Sequence, residues 1–334
     1  MARIDGTPMA DVLSGDTSGF PENDEIYGYA HNDWLDGLGG DDQLYGHEGD
    51  DTLLGYDGDD TLDGGADDDY LNGEDGSDTA SYSTATAGVT VSLIDGFGQA
   101  SGGAGLDTLE SIENLTGSKF SDTFISDGST NSTFKGGRGD DYIEVNHSVG
   151  DRLNGEAGND TLIVGNGFST LNGGTGHDHL MAHDGGVLNG GNGNDVLEVA
   201  GSVFDDSTLN GGAGDDTLTS ADGSDVLTGG TGQDELTGQT GADRFDYNAV
   251  SDSPAGAGRD VISDFAGSLS EGDTIDLSDI DANALLTGDQ AFTLGQLDYV
   301  GGIFSADIIG TGPAPDIEIA LVGAPPLFLA DVVL

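Results

Sequence analysis

The sequence predicts an all-β protein: a parallel β-roll, or β-solenoid, built from nonapeptide repeats, interrupted by irregular coils and closed by a C-terminal antiparallel β cap. Three observations carry that prediction. A nine-residue period runs unbroken from Gly28 to Tyr82. The chain of 334 residues holds 60 glycines and 63 acidic residues against seven basic ones, for a net charge of −56. After Tyr247 the period stops, glycine thins and β-type runs appear.

The period defines the first element. In nines, the chain gives Gly28–Asp36, Gly37–Tyr45, Gly46–Leu54, Gly55–Asp63, Gly64–Asn72 and Gly73–Ser81. Position one is always glycine. Position six is Asp33, Asp42, Asp51, Asp60, Asp69 and Asp78; position eight is Leu35, Leu44, Leu53, Leu62, Leu71 and Ala80. The preceding repeat, Gly19–Tyr27, keeps the register with Asp24 and Ile26. Nine is neither a helical period nor a simple strand alternation. Each repeat therefore divides into a six-residue Gly/Asp turn and a three-residue strand whose central residue points inward. Glycine supplies the positive φ and tight turning that residues with a Cβ resist. Two repeats make one coil, so the turns alternate between two edges. Asp33, Asp51 and Asp69 line one edge, and Asp24, Asp42, Asp60 and Asp78 the other.

Residues 1–18 read as a short lead-in in which Asp11-Val12-Leu13 is a stray remnant of the pattern, and residues 19–82 as the first roll. Over 83–134 the period breaks; Gly88–Leu93 reads as a strand, and the triplets Asp107–Leu109 and Asp122–Phe124 survive without glycine turns, which predicts irregular, ion-poor coils. A second roll spans 135–247. Its full repeats carry Asp141, Asp160, Asp178, Asp195, Asp216, Asp225, Asp234 and Asp243. Degenerate repeats centred on Leu153, Leu171, Leu188 and Leu209 alternate with the full ones as far as Asp216; Ser169, Gly186 and Ser207 replace the acid in three of them, and Asp151 keeps it in the fourth. One edge of this roll is thus expected to carry most of its ions. The interval from Asp195 to Asp216 places an insertion at Gly201–Asp206. Residues 248–334, with runs at Asp260–Phe265, Asp273–Leu277, Gly302–Ile309, Asp316–Val322 and Leu327–Leu334, form the antiparallel cap that covers the open end.

Composition limits the chemistry. So few basic residues argue against nucleic acid and anionic membranes as partners. No run reaches transmembrane length. The absence of cysteine excludes disulfides and thiol chemistry. The amino-terminal stretch lacks the basic and then apolar segments of a conventional signal peptide. A chain this acidic repels itself unless cations neutralise it, and its glycines raise the entropy cost of ordering. Aspartate is a hard oxygen ligand and a glycine-rich turn exposes backbone carbonyls, a donor set suited to calcium. The candidate ligands are the position-six aspartates named above, with the carbonyls of the position-four glycines Gly40, Gly49, Gly58, Gly139, Gly158, Gly176, Gly193, Gly214 and Gly232. One ion per stacked pair gives roughly ten ions. Cytosolic calcium is too scarce for such sites, so the chain is expected to be exported.

These repeats resemble the nonapeptides of the RTX (repeats-in-toxin) proteins, a calcium-binding β-helix repeat. The resemblance covers most of residues 19–247. The tail, through Gly241-Ala242-Asp243-Arg244-Phe245-Asp246-Tyr247, Asp260-Val261-Ile262-Ser263-Asp264-Phe265, Gly272-Asp273-Thr274-Ile275-Asp276-Leu277-Ser278 and the ending Ala330-Asp331-Val332-Val333-Leu334, is similar to the C-terminal domain of serralysin-type proteases. It implies an uncleaved C-terminal signal read by type I secretion machinery, and folding outside the cell where calcium is plentiful. That domain carries no catalysis in the family. The protease active site has no counterpart here: His47-Glu48 is followed by Gly49-Asp50-Asp51, so no H-E-x-x-H exists, and neither a nucleophile elbow nor a P-loop occurs. The expectation is a non-enzymatic, secreted, calcium-folded structural component of a matrix, surface layer or filament, with self-association through exposed roll ends. A polysaccharide-binding module is the alternative, using the degenerate edge of the second roll and a stripe of Trp34, Tyr45, Tyr56 and Tyr70. A polysaccharide-active enzyme with carboxylates in 83–134 ranks behind both. His177, His179 and His183 are weighed as a transition-metal site and set aside, because a coil does not make them converge.

Overall fold

The computed structural model describes residues 3–15, 22–128, 131–147, 149–201, 205–267, 272–280, 292, 296–308, 315–323 and 326–334. The chain divides into two compact units, Met1–Asn166 and Gly167–Leu334. Gly19, residues 202–204 of the predicted insertion and Ile309 lie outside the described residues.

In the first unit, successive strands alternate between two parallel sheets. One sheet takes Glu25–Ala30, Gln43–Glu48, Thr61–Ala66 and Thr79–Ser81. The other takes Trp34–Gly39, Thr52–Asp57 and Tyr70–Asp75. Position eight stacks on itself: Ile26, Leu44, Leu62 and Ala80 face one another in register in the first sheet, and Leu35, Leu53 and Leu71 in the second. All seven are 0% exposed. One branched apolar residue per repeat is thus enough to fill the space between the sheets, and it gives the parallel pairing its buried face.

The strands are twice as long as the three residues expected. Trp34–Gly39 runs through positions seven to nine and on through positions one to three, leaving Gly40-Asp41-Asp42 as the whole turn before Gln43. Pairing continues past the core residue, with Leu38 opposite Tyr56 and Tyr29 opposite His47. The strand stays paired because it bends at position two, where φ is left-handed: 82° at Tyr29, 75° at Leu38, 80° at His47 and 73° at Tyr56. A bulky side chain there is uncommon, because its Cβ crowds the backbone.

Coiling also begins earlier than expected. Arg3–Asp5 pairs with Glu25–Tyr27, and Val12–Ser14 pairs with Trp34–Asp36, so the lead-in already forms a coil. Residues 88–110 are not irregular coils. Val89–Ile94, Phe97–Gly102 and Gly105–Glu110 form an antiparallel meander within the second sheet, entered by parallel pairing of Thr108–Glu110 with Tyr70–Asn72 and left by parallel pairing of Thr90–Ile94 with Thr123–Asp127. The alternation in Val89-Thr90-Val91-Ser92-Leu93 buries Val89, Val91 and Leu93, and short turns between such runs favour hairpins over crossovers. The first sheet bypasses the meander, with Asn114–Thr116 pairing directly on Thr79–Ser81.

In the second unit, Ser169–Thr175, Gly186–Asn192, Thr208–Ala213, Val226–Thr231 and Arg244–Asp246 form one parallel sheet, and His179–Ala182, Val196–Val199, Thr217–Thr219 and Glu235–Thr237 the other. The degenerate core residues Leu171, Leu188 and Leu209 are 0% exposed, like those of the full repeats. The C-terminal segment differs from a wholly antiparallel cap. Asp260–Ile262 and Thr274–Asp276 add in parallel to the two sheets, and Val332–Val333 adds in parallel to Thr274–Asp276. Ile303–Ala306 runs antiparallel to both Leu297–Val300 and Ile317–Leu321, the antiparallel part of the segment among the described strands. Asp260-Val261-Ile262 and Asp273-Thr274-Ile275 keep the acid–x–apolar triplet of the repeats, so their backbones pair as coils do.

Candidate metal centres

Most position-six aspartates are built into their turns in the same way. Oδ1 accepts the backbone N–H of the residue at the same position one coil earlier, usually an aspartate. Asp33 donates to Asp51 at 2.7 Å, Asp51 to Asp69 at 2.8 Å and Asp69 to Asp107 at 3.1 Å. On the other edge, Asp24 donates to Asp42 at 2.6 Å, Asp42 to Asp60 at 2.7 Å and Asp60 to Asp78 at 2.8 Å. The assignment of aspartates to two edges therefore matches two separate ladders. Further along the first unit, Asp122 donates to Asp141 and Asp141 to Asp160. In the second unit one ladder joins Asp178, Asp195, Asp216, Asp234 and Asp260. A second ladder joins Ser207, Asp225, Asp243 and Asp273.

The other carboxylate oxygen is left over. Oδ2 of Asp33, Asp42, Asp51, Asp60, Asp69, Asp78, Asp141, Asp195, Asp216, Asp225, Asp234 and Asp243 is sealed from solvent and has no hydrogen-bond partner. Burial, reinforced by neighbouring carboxylates, raises Asp42, Asp51 and Asp78 to about 7 and Asp69 to about 8. It raises Asp141 to about 8, and Asp216 and Asp243 to about 7. A row of buried acceptors with no donor among them is costly unless a cation lies between them. Hard oxygens in rows, with carbonyls beside them, fit calcium. Those carbonyls are where the sequence places them: a side chain on Gly58 would run into the carbonyl oxygen of Gly40, one on Gly193 into that of Gly176, and one on Gly232 into that of Gly214. Position-four carbonyls thus project into the space between stacked turns. Gly40, Gly49, Gly58, Gly139, Gly158, Gly176, Gly193, Gly214 and Gly232 all have left-handed φ, as the turn requires.

Position-one glycine turns out to serve a different purpose. Gly28, Gly37, Gly46 and Gly55 do not have left-handed φ. A Cβ on any of them would collide with Oδ2 of the aspartate five residues on: Asp33, Asp42, Asp51 and Asp60 respectively. Glycine at position one is the hollow that lets the carboxylate turn inward. The fixed five-residue spacing was the available signal, and Gly6 shows the same pairing with Asp11. Asp107, Asp122, Asp260 and Asp273 were not among the candidate ligands, yet they accept ladder hydrogen bonds as the others do.

Two tyrosines interrupt the hollow. Tyr82 and Tyr247 are 3% and 1% exposed, and neither hydroxyl has a hydrogen bond of regular geometry. Burial raises both phenols well above their ordinary range, with Asp107 beside Tyr82 and Asp260 beside Tyr247 adding to the effect. Each stands in place of a position-one glycine where a regular roll stops.

The histidines do not converge. His177 Nδ1 accepts the Asn194 N–H at 2.7 Å, and His179 lies 4.0 Å from Glu198. Among the described residues, no group of three His, Cys, Asp or Glu side chains is placed to hold a metal. The expected aromatic stripe is also different. Trp34, Tyr56 and Tyr70 belong to one sheet and Tyr45 to the other. The rings that do stack are Tyr27 on Tyr45, with centroids 4.8 Å apart, and Tyr29 on His47, 5.5 Å apart. Their 18-residue spacing was visible in the sequence.

The family model for the RTX calcium-binding nonapeptide repeat matches residues 5–44, 18–53, 45–80, 119–146, 154–186, 187–200, 204–227 and 219–253, more than half of the chain. No curated protein matches it. No helix among the described residues is long and apolar enough to cross a membrane.

Proposed function

The chain belongs to the RTX calcium-binding nonapeptide repeat family, and from that premise we propose that it is a secreted β-roll that folds on calcium outside the cell and serves as an extracellular structural component. The observation that carries the proposal is the row of buried Oδ2 atoms without partners. The ligands are the position-six aspartates and the position-four carbonyls named above, with Asp107, Asp122, Asp260 and Asp273 extending the rows, and the ion count is about ten on the rule of one ion per stacked pair. Before export, mutual repulsion among carboxylates keeps the chain open. Outside, calcium neutralises the turns and its binding energy becomes folding energy. The likeness of the C-terminal segment to serralysin-type secretion domains supports export by a type I system, and self-association follows from strand edges at the ends of the roll. Catalysis has no part in this reading, because the buried carboxylates belong to repeat turns.

Far-ultraviolet circular dichroism of the full chain across a calcium titration tests the folding step. The expected result is a cooperative gain of β signal, reversed by a chelator. An unchanged β spectrum in excess chelator would overturn the reading. Light scattering with calcium tests assembly, and a strict monomer at high concentration would count against the structural role.

A further inference from the structure

The first unit carries an open cleft of about 420 Å³ beside the stacked rings of Tyr29 and His47. We propose that this cleft binds a neutral pyranose ring, stacked on His47 in the place where the ladder of ring side chains stops. The inference does not depend on the structural role proposed above; it needs only the folded roll.

The stop has a physical cause. Tyr29, His47 and Gly65 occupy the same position in three successive coils of one sheet. Tyr29 covers one face of the imidazole, with the planes only 7° apart. The next coil offers no ring, because a Cβ on Gly65 would strike the backbone of His47. Gly65 and Ala66 therefore floor a slot, and Thr84 and Thr86 line it as well. His47 Nε2 is sealed from solvent without a partner, so the ring offers the slot its π surface and not that nitrogen.

The polar groups choose the ligand class. The Thr84 hydroxyl already donates to Asp63 and the Thr86 hydroxyl to the Gly103 carbonyl, so both oxygens have only acceptor capacity left. Glu48 at the rim adds a carboxylate. Among the described residues, no Lys or Arg lines the cleft, and the net charge of −56 repels anions. A flat apolar face with hydroxyl donors around its rim is what this site complements, and a neutral hexopyranose has both.

Isothermal titration calorimetry of the full chain in calcium, against neutral gluco-, galacto- and manno-configured hexasaccharides, tests the site. A uronate hexasaccharide and an amino-sugar hexasaccharide serve as charge controls. The expected result is saturable binding of at least one neutral sugar and none of the uronate. His47→Ala should weaken binding about tenfold, His47→Phe should restore most of it, and Ala66→Tyr should abolish it by filling the slot. Circular dichroism in calcium must show each variant folded, and Trp34→Ala, on the other sheet, should bind as the parent does. The proposal is overturned if no neutral sugar binds at millimolar concentration, if the amino sugar binds tighter than every neutral one, or if folded His47→Ala and Ala66→Tyr bind as the parent. Failure here with calcium-dependent folding intact would leave the fold reading untouched.

Discussion

Most turns that carry Asp at position six differ at a second position from the turns that do not; Asp151 and Asp225 are exceptions, with the buried Val145 and Ser220 at position one. Where Asp33, Asp51, Asp195 or Asp216 stands at position six, position one is Gly28, Gly46, Gly190 or Gly211, and Oδ2 occupies the space a Cβ would need. Where Ser169, Gly186 or Ser207 stands there instead, position one is Val164, Ala182 or Val199, and each of these side chains is buried. In these seven turns the two positions act as one device with two settings. In one, a hollow admits a carboxylate that needs a cation; in the other, hydrocarbon takes the hollow and the corner needs no ion. The strands between the corners are the same in both, with one leucine per repeat fully enclosed. Core packing therefore comes with every repeat, while on the proposed reading dependence on calcium is set turn by turn.

Breaking the device in an acidic turn should have the largest effect. Gly46→Val puts a branched side chain where Asp51 Oδ2 sits and should destabilise the calcium-bound protein by about 3 kcal/mol or more. Urea unfolding in saturating calcium measures it, and a loss under about 1 kcal/mol would mean that the hollow is not needed. Asp51→Asn should come next. It keeps the shape and the Oδ1 acceptor but removes a charge, so it should raise the calcium concentration at the folding midpoint about tenfold, a shift of about 1.4 kcal/mol. Equal midpoints for the variant and the parent would remove Asp51 from the calcium site.

The acidic turns should also respond to pH when calcium is chelated. Burial raises Asp60 to about 6, Asp42 to about 7 and Asp69 to about 8, so the folded chain holds more protons than the unfolded one between about pH 4 and pH 8. Stability without calcium should then be greatest near pH 4 and decline as pH rises toward 8. Circular dichroism in chelator at several pH values reads this directly, and β signal that grows with pH would contradict it. The smallest effect is expected at a non-acidic corner. Ser207 Oγ is buried without a hydrogen bond of regular geometry, so Ser207→Ala should change stability by less than about 1 kcal/mol, with or without calcium, in the same urea experiment.

Much of this was legible in the sequence, because the period fixes which residues share a row. Leu35, Leu53 and Leu71 had to stack, and Asp24, Asp42, Asp60 and Asp78 had to fall on one edge. What the period could not convey was backbone direction within a repeat. The left-handed φ at Tyr29 and His47 bends a strand that simple alternation would have ended, and nothing in those side chains announces it. Position-one glycine looked like a turn residue because glycine in general is one; only the inward carboxylate of Asp33 or Asp51 explains it. The meander at 88–110 was hidden for the opposite reason. Val89-Thr90-Val91-Ser92-Leu93 marks a strand clearly, but its partner, antiparallel or parallel, depends on residues the pattern does not reach. In the tail, Asp260-Val261-Ile262 is a repeat triplet without its glycine turn, and its backbone pairs as another coil does.

The central claim is that calcium holds the acidic turns, and hydrogen–deuterium exchange of the full chain with and without a chelator tests it most directly. The backbone N–H groups of Asp24, Asp33, Asp42 and Asp51 each donate to the Oδ1 of the next aspartate on their edge, so their protection reports on the carboxylates themselves. The account predicts that these amides are protected in calcium and exchange freely once it is removed. Protection that survives in excess chelator at neutral pH would contradict it.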